Sequence, residues 1–483
     1  MKTNQKPALL CFLAVALLAA PQTFGPTPEM YRALADISAD SMRGNLSFLA
    51  SDLLEGRDTP SRGLDIAAEY IAAQFRRSGL EPAGDDGYFQ TAKMLRIKPV
   101  ADGFELSIHA GAREVAPAKD RVAVVSRRPL ELSGAPVWKV RNLADVKAAD
   151  LKGKVVALTA SPKDSRAVTR AAAALQPAAF LETADDDKDE PLVPRLIDPG
   201  AENDAFGGVP RVIVRGAEVA KALRAAKAGE TGVVVSIKLP APTATPVKVR
   251  NVIGLLRGSD PVLRDQYILI TAHYDHLGLQ GTEGIFHGAN DDGSGTVSVM
   301  EIGKALAGVP AHPKRSIVFM TFFGEEEGSF GSLYYARHPV FPLDKTVADL
   351  NLEQLGRTDS SAGPEVSNAS LTGFEFTNVA RTLQQAGELT GVKVYETPNG
   401  DEFFDRSDNE TFAEYGIPAH TIVVAFEYPD YHAVGDVWQK IDYENMAKVD
   451  RMIALGTLML ADSPDAPRWN RANPKAARFM QAK

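Results

Sequence analysis

The spacing of apolar runs in the second half constrains this chain more than any other feature. Tyr267-Ile-Leu-Ile-Thr-Ala272 and Ser316-Ile-Val-Phe-Met-Thr-Phe-Phe323 are short and strongly apolar, and 347–352 and 419–426 are shorter or more mixed runs. Each reads as a strand, the first of them buried. Between and after them come stretches of helical periodicity: 296–307, with Val299, Ile302 and Leu306 on one side, then 374–386 and a closing helix over 444–461. Strands alternating with helices predict an α/β architecture, a mixed β-sheet sandwiched by helices. Ligand sites in such sheets gather beyond the carboxyl ends of the strands, and the unusual residues of this chain fall there.

The first half reads differently. Helical patterns cover 31–54 and 65–80, the second with Ile66, Tyr70, Ala73 and Phe75 in a stripe that Gly79 stops. From about Lys98 the character turns to short β-type runs, such as 121–125 and 154–158. An alanine-rich helix over 166–175 follows, then an acidic loop, Asp185–Glu190. Residues 240–247 are rich in proline and threonine and read as a connector. At 483 residues the chain is longer than the roughly 250–300 that one core usually serves, so more than one domain is expected.

Lys2 and Lys6 precede an almost unbroken apolar run from Pro7 to Pro21 that ends in small residues, Ala19 and Ala20. The run is short of the roughly 20 residues of a membrane span and has the layout of a secretory signal. A secreted or periplasmic location is therefore expected, with no stable membrane insertion once the signal is removed. The single cysteine, Cys11, lies inside this run, and the preceding Ala8-Leu9-Leu10 does not suit lipoprotein processing. Beyond it no thiol remains to act as nucleophile or metal ligand. The formal charge of −9 argues against a nucleic-acid partner.

Five segments carry the candidate chemistry. In Ala272-His273-Tyr274-Asp275-His276 an imidazole directly after a strand could bind metal while Asp275 orients its other nitrogen; a polar surface turn fits the same residues. Gly288-Ala-Asn-Asp291-Asp292-Gly-Ser-Gly295 sets two acids in a glycine-flanked turn, suited to a cation or to the start of a helix. Gly324-Glu325-Glu326-Glu327-Gly328 follows a strongly apolar strand. Two of its carboxylates could divide metal binding from proton transfer. Glu353 sits in an apolar strand, where a buried carboxylate needs a partner, either a metal or Arg357. Tyr431-His432 is followed by Asp436. Two imidazoles and three or more carboxylates make a nitrogen- and oxygen-rich set that suits zinc. Divided between two ions with Asp291 bridging, His273, Glu326, Glu353 and His432 could hold a pair roughly 3.5–4 Å apart.

These five motifs, in this order, resemble the M28 family of zinc peptidases over about 248–462. Leu49-Ala-Ser-Asp-Leu-Leu-Glu-Gly-Arg57 is similar to a stretch near the family's start. The resemblance implies that His273 and Glu353 bind one zinc, Glu326 and His432 the other, and that Asp291 bridges them, so the expected cofactor is two Zn²⁺ per chain. It implies that Asp275 orients His273, Glu325 is the general base, and Tyr431 steadies the oxyanion. It also implies a cis bond between Asp291 and Asp292. Arg406 and Asp408 fall in a run resembling the family's Arg-Ser-Asp-His and are candidates for substrate placement. Two departures stand out: Glu353 replaces a more frequent aspartate, and Asn409 replaces the histidine. Residues around Leu151–Leu158 resemble a protease-associated domain.

The expected division is thus a signal over 1–20, peptidase portions over 26–105 and 246–465, a mostly β protease-associated insert over 106–245, and a tail over 466–483. The resemblance implies an exopeptidase acting on peptides, foremost an aminopeptidase. The alternatives are a carboxypeptidase or dipeptidase on short peptides, a single-zinc glutaminyl cyclase, and a receptor-like ectodomain without activity. Nothing in the sequence addresses the oligomeric state.

Overall fold

A computed structural model of the protein describes residues 25–481 apart from 99–102, 111–112, 116, 118–121, 127, 160–164, 185–194, 200–207, 216, 242, 362 and 399. The signal-like run 1–20 and the acidic loop 185–190 lie outside these.

The apolar runs become the centre of a 10-stranded sheet. Its four middle strands, Ala419–Val423, Thr346–Leu352, Tyr267–His273 and Ser316–Phe322, are parallel. Thr243–Leu256 and Phe89–Lys98 extend it antiparallel on one side, and Asn368–Leu371 antiparallel on the other. Alternation along each strand sends side chains into two different cores. Ile268, Ile270, Ile317 and Phe319 pack with the helices Ala39–Leu49, Arg62–Arg77, Gly295–Ala307, Val379–Thr390 and Tyr443–Asp462. Leu269, Val318, Met320 and Phe322 face the other way. They meet Tyr335 and Phe412, from helices Phe330–Arg337 and Asn409–Glu414. Both faces are covered, which is why these strands are mainly apolar, and the polar Asp349 and Asn351 are buried with Thr271 and Ser407 as hydrogen-bond partners.

Residues 105–239 supply all eight strands of a second sheet, with two cores of their own. The segment is not a clean insertion. Arg195–Ile197, from within it, returns to pair with Phe89–Lys98 at the edge of the first sheet. The expected connector 240–247 is also different in the structure. From Thr243 it is already strand, paired with Phe89–Lys98 through Thr243↔Lys98 to Val252↔Phe89. Its threonines and valines suit a pleated surface, and Pro246 is tolerated because only one side of the strand is paired there.

Two further boundaries moved. The helix expected at 374–386 begins only at Val379, because a turn closes first, with Phe376 N–H donating to the Gly373 carbonyl. The expected 31–54 helix divides into Pro28–Ala35, Ala39–Leu49 and a 3₁₀ segment, Asp52–Arg57, each of the two helices opened by a side-chain cap, Thr27 and Ser38. The segment after 466 is packed rather than a free tail. The Trp469 indole donates to the Gly416 carbonyl at 2.8 Å, and Ala476 and Phe479 are buried in the second core.

His420 lies wholly buried on a central strand. Its Nδ1 faces the Thr372 carbonyl at 2.8 Å and its Nε2 the Thr377 hydroxyl. Burial lowers its pKa to about 4, below the unfolded value of roughly 6.5. The unfolded chain therefore binds this proton first, and stability falls as pH drops from about 6.5 to 4. The loss from this one group is about 3 kcal/mol. Denaturant titrations at pH 7 and pH 4.5 should show a smaller pH-dependent loss in His420→Gln than in the unaltered protein; equal losses would exclude this role.

Candidate metal centre

All the motif residues converge at the carboxyl ends of the parallel strands. His273 ends strand Tyr267–His273. Glu325 and Glu326 follow Ser316–Phe322, and Glu353 follows Thr346–Leu352. Asp291 lies in the turn before helix Gly295–Ala307, and the Asp291–Asp292 bond is cis, as the resemblance implies. His432 comes from the loop after Ala419–Val423 and takes a left-handed φ of 50°. A non-glycine residue in that conformation is uncommon and has to be held by its surroundings.

Asp291 stands in the middle. Its Oδ1 is 3.3 Å from His273 Nε2 and its Oδ2 is 3.1 Å from His432 Nε2. Glu326 Oε2 is 3.3 Å from the same His432 nitrogen. The ligand-capable atoms of His273, Asp291 and Glu353 lie within 4.8 Å of one another. The longer Glu353 side chain thus still reaches the first group, so the added methylene does not undo it. Asp275 faces His273 Nδ1 at 3.5 Å and is itself fixed, accepting from Thr59 Oγ1 at 3.1 Å and from the Glu325 backbone N–H at 3.1 Å. Glu325 Oε2 lies 3.8 Å from His273 Nε2.

The electrostatics are those of crowded acids. Burial and the charges of Glu326, Glu353 and Asp408 raise Glu325 well above the usual carboxylate range, against the pull of His273. Burial, with Asp291, brings Glu353 to about 7. Burial would lower His432, but Asp291 and Glu326 overcome it and raise the imidazole to about 9. Both ring nitrogens of His273, and Glu326 Oε1, are buried without hydrogen-bond partners. Orphaned donors and acceptors facing one another in this way are costly. A cation shared between them removes the cost.

The remaining candidates fall in different places. Tyr431 is half exposed, with its ring stacked on His432 at 4.1 Å, and lines a cavity of about 130 Å³ together with Glu353, Phe403, Arg406 and Phe426. Arg406 is exposed, lies over the Phe403 ring, and also lines a wider cleft of about 340 Å³ with Glu325 and Glu326. It can touch a bound molecule. Asp408 is wholly buried and accepts from the Ser332 hydroxyl, so it supports the wall of the cleft and does not face substrate. Asn409, the departure from the histidine pattern, is buried too. It donates to the Phe404 carbonyl and accepts from Thr421 Oγ1 at 2.8 Å. Thr421 in turn accepts from Asn351, whose amide also donates to Ser407 Oγ. That network lies beneath Glu353.

Three residues matter more than sequence reasoning indicated. Arg57, fully buried, donates to four backbone carbonyls, those of Tyr274, Leu49, His287 and Gly288, at 2.6–2.8 Å. It ties the His273 and Asp291 loops together, and the Leu-Leu-Glu-Gly-Arg stretch was its signal. Asp436 accepts from the backbone N–H groups of Asn290 and Asp291 and from the Tyr428 hydroxyl. Asp292 accepts from the His273 and Gly295 N–H groups. Both carboxylates hold backbone, leaving Asp291 free to face the histidines.

Arg57→Lys should lower the unfolding free energy by about 3 kcal/mol or more, because a lysine cannot serve four diverging carbonyls and strands several of them. Chemical denaturation of the two proteins measures this, and a difference below about 1 kcal/mol would count against the clamp.

Residues 251–457 match the family model of Peptidase family M28. A "probable zinc metalloprotease" of Leptosphaeria maculans is 26% identical over 261 residues, covering 46% of this chain and 60% of the relative. Aminopeptidase YwaD of Bacillus subtilis is 25% identical over 233 residues, 47% of this chain and 48% of the relative. The chain thus spans about half to three-fifths of the length of these curated relatives. Among solved structures, an aminopeptidase from Aneurinibacillus sp. strain AM-1 superposes with a TM-score of 0.57 at 20% identity, covering 91% of this chain and all of that one. The zinc aminopeptidase BSAP from Bacillus subtilis gives 0.52 at 21%, covering 89% of this chain and 97% of that one. Those likenesses speak for the fold over about nine-tenths of the chain, and the sequence match to peptidase family M28 is confined to residues 251–457.

Proposed function

We propose that this protein is an exported two-zinc aminopeptidase. The observation that carries the reading is Asp291, whose two oxygens face two separate histidine–carboxylate groups. Atoms sharing one tetrahedral zinc at about 2.0–2.2 Å lie roughly 3.3–3.5 Å apart. The separations of 3.3, 3.1 and 3.3 Å around His273, Asp291, Glu326 and His432 fit such sharing. The donors are imidazole and carboxylate, a set that zinc accepts. His273, Glu353 and Asp291 would hold one ion, and Asp291, Glu326 and His432 the other.

Bound there, a zinc pair would supply Lewis acidity to a peptide carbonyl and to water. The protein's own groups do the rest. Glu325, anchored through its backbone N–H on Asp275, takes a proton from the attacking water and returns it to the leaving amine. Tyr431 keeps its proton, since burial and the surrounding carboxylates raise its pKa, and its hydroxyl is available to donate to the oxyanion. Asp275 holds the His273 ring in the orientation that presents Nε2.

The choice of aminopeptidase rests on charge. Besides Glu325, Glu326 and Glu353, which the zinc pair would occupy, the two cavities are lined by the acids Asp405, Glu410 and Glu427, and Arg406 is the one cation among the described lining residues. Such a surface favours a substrate ammonium over a carboxylate. A substrate side chain would lie in the cavity walled by Phe403 and Phe426. The second sheet over 105–239 supports the reading of a protease-associated insert that limits access. Export rests on the Lys2–Pro21 layout, and N-terminal sequencing of protein recovered outside the cytoplasm tests it.

Glu325→Gln should lower kcat by about 10²–10⁴-fold while metal analysis still finds zinc; near-normal turnover would remove Glu325 from its role. Peptides with a free amino terminus should be cleaved and their N-acetylated counterparts left intact. Efficient cleavage of the blocked series would instead favour a carboxypeptidase, with Arg406 as the carboxylate anchor.

A further inference from the structure

The motif Ala272-His-Tyr-Asp-His276 contains a second histidine, to which the reading above gives no task. His276 is 1% exposed, and neither ring nitrogen has a hydrogen-bond partner. Its Nδ1 lies 2.7 Å from Glu326 Oε1, which is itself buried and unpartnered. The contact is an ion pair rather than a hydrogen bond, and it is shorter than the roughly 3.3–3.5 Å between two atoms on one zinc, so an ion bound there would part them. His276, Asp291 and Glu326 bring ligand-capable atoms within 4.8 Å of one another. The ring stands edge-on to His432, with centroids 5.7 Å apart.

The surrounding backbone holds the ring in place. Gly288 has a φ of +56°, and a Cβ there would sit 2.3 Å from His276 Cγ and 2.6 Å from its Cδ2. No side chain larger than hydrogen fits at 288 while the ring keeps this position. The His276 N–H lies near the carbonyl of Arg57, so the clamp described above also lies against this residue. A buried imidazole packed so tightly, with neither nitrogen hydrogen-bonded and its one ionic partner a carboxylate of the metal centre, is hard to explain as filler.

We propose that His276 is a fourth protein ligand of the Asp291–Glu326–His432 cation, bound through Nδ1. The inference rests on the two-zinc reading. It makes the centre unequal. The Glu326 ion is enclosed by Asp291, Glu326, His432 and His276, as in closed structural sites, while the Glu353 ion keeps three protein ligands and an open position. The open position lies beside Glu353, which shares its cavity with Tyr431.

The test is a crystal structure of the zinc-loaded, unaltered protein with anomalous maps at the zinc edge, together with metal binding by His276→Ala. The proposal expects Nδ1 within about 2.0–2.2 Å of one zinc. It also expects the variant, folded by circular dichroism, to bind one of its two zinc ions roughly tenfold or more weakly in chelator competition. With cobalt in place of zinc, the visible absorption of that site should change. Two zinc ions with Nδ1 out of bonding reach overturn the proposal while leaving the two-zinc reading intact. An affinity loss with an unchanged cobalt spectrum overturns it as well, because His276 would then only orient Glu326. A protein that binds no zinc at all ends the parent reading. If His276→Ala does not fold, the map of the unaltered protein decides alone.

Discussion

The geometry of this centre depends on one carboxylate being left free while its neighbours are tied down. Asp291 faces His273 with one oxygen and His432 with the other. It can do so because other acids take the backbone work. Asp292 accepts the N–H groups of His273 and Gly295, and Asp436 those of Asn290 and Asp291. Arg57 closes the arrangement from below with four carbonyl partners. The charged guanidinium sits among Asp275, Asp436, Asp292 and Asp291, and their charges offset part of its desolvation. Remove this frame and the ligands have no reason to hold a common focus.

The sheet sets where that focus can lie. Four parallel strands end on the same side, and three of them deliver His273, Glu325 with Glu326, and Glu353 within a few residues of their ends. The fourth leads into the loop that carries Tyr431 and His432. Both faces of these strands are packed. The ends are therefore the places where polar groups can gather without breaking a core. Crowding several acids at such a spot is unfavourable in itself, and the raised pKa values of Glu325 and Glu353 express the strain. A cation turns the same crowding into affinity.

The Asn409 departure shows how a missing motif residue is absorbed. A histidine there would have to satisfy two ring nitrogens; asparagine satisfies an amide instead. Its contacts run through Thr421 and Asn351 to Ser407, all neutral hydrogen bonds. The network keeps the floor beneath Glu353 ordered without adding charge to a site already rich in it. Asp408, next along, proves to be part of that buried support and not of the substrate surface.

The α/β class, the central strands and the convergence of His273, Asp291, Glu326, Glu353 and His432 were legible in the sequence. The strands were legible for a local reason, since strongly apolar runs must be buried; each acid or histidine just past them also had a bland reading, and the ligand set was legible through the ordered resemblance to the M28 family. Element ends were less legible, since the turn that delays the helix at Val379 and the pairing that makes strand of 243–247 are contacts with distant chain. Four features emerged only in three dimensions: the clamp of Arg57, the backbone duties of Asp292 and Asp436, the burial of Asp408, and the unpaired nitrogens of His276. Residue type and spacing announce what a side chain could do. Whether it faces a cation, a carbonyl or the solvent depends on partners more than 200 residues away, and only the folded chain brings those together.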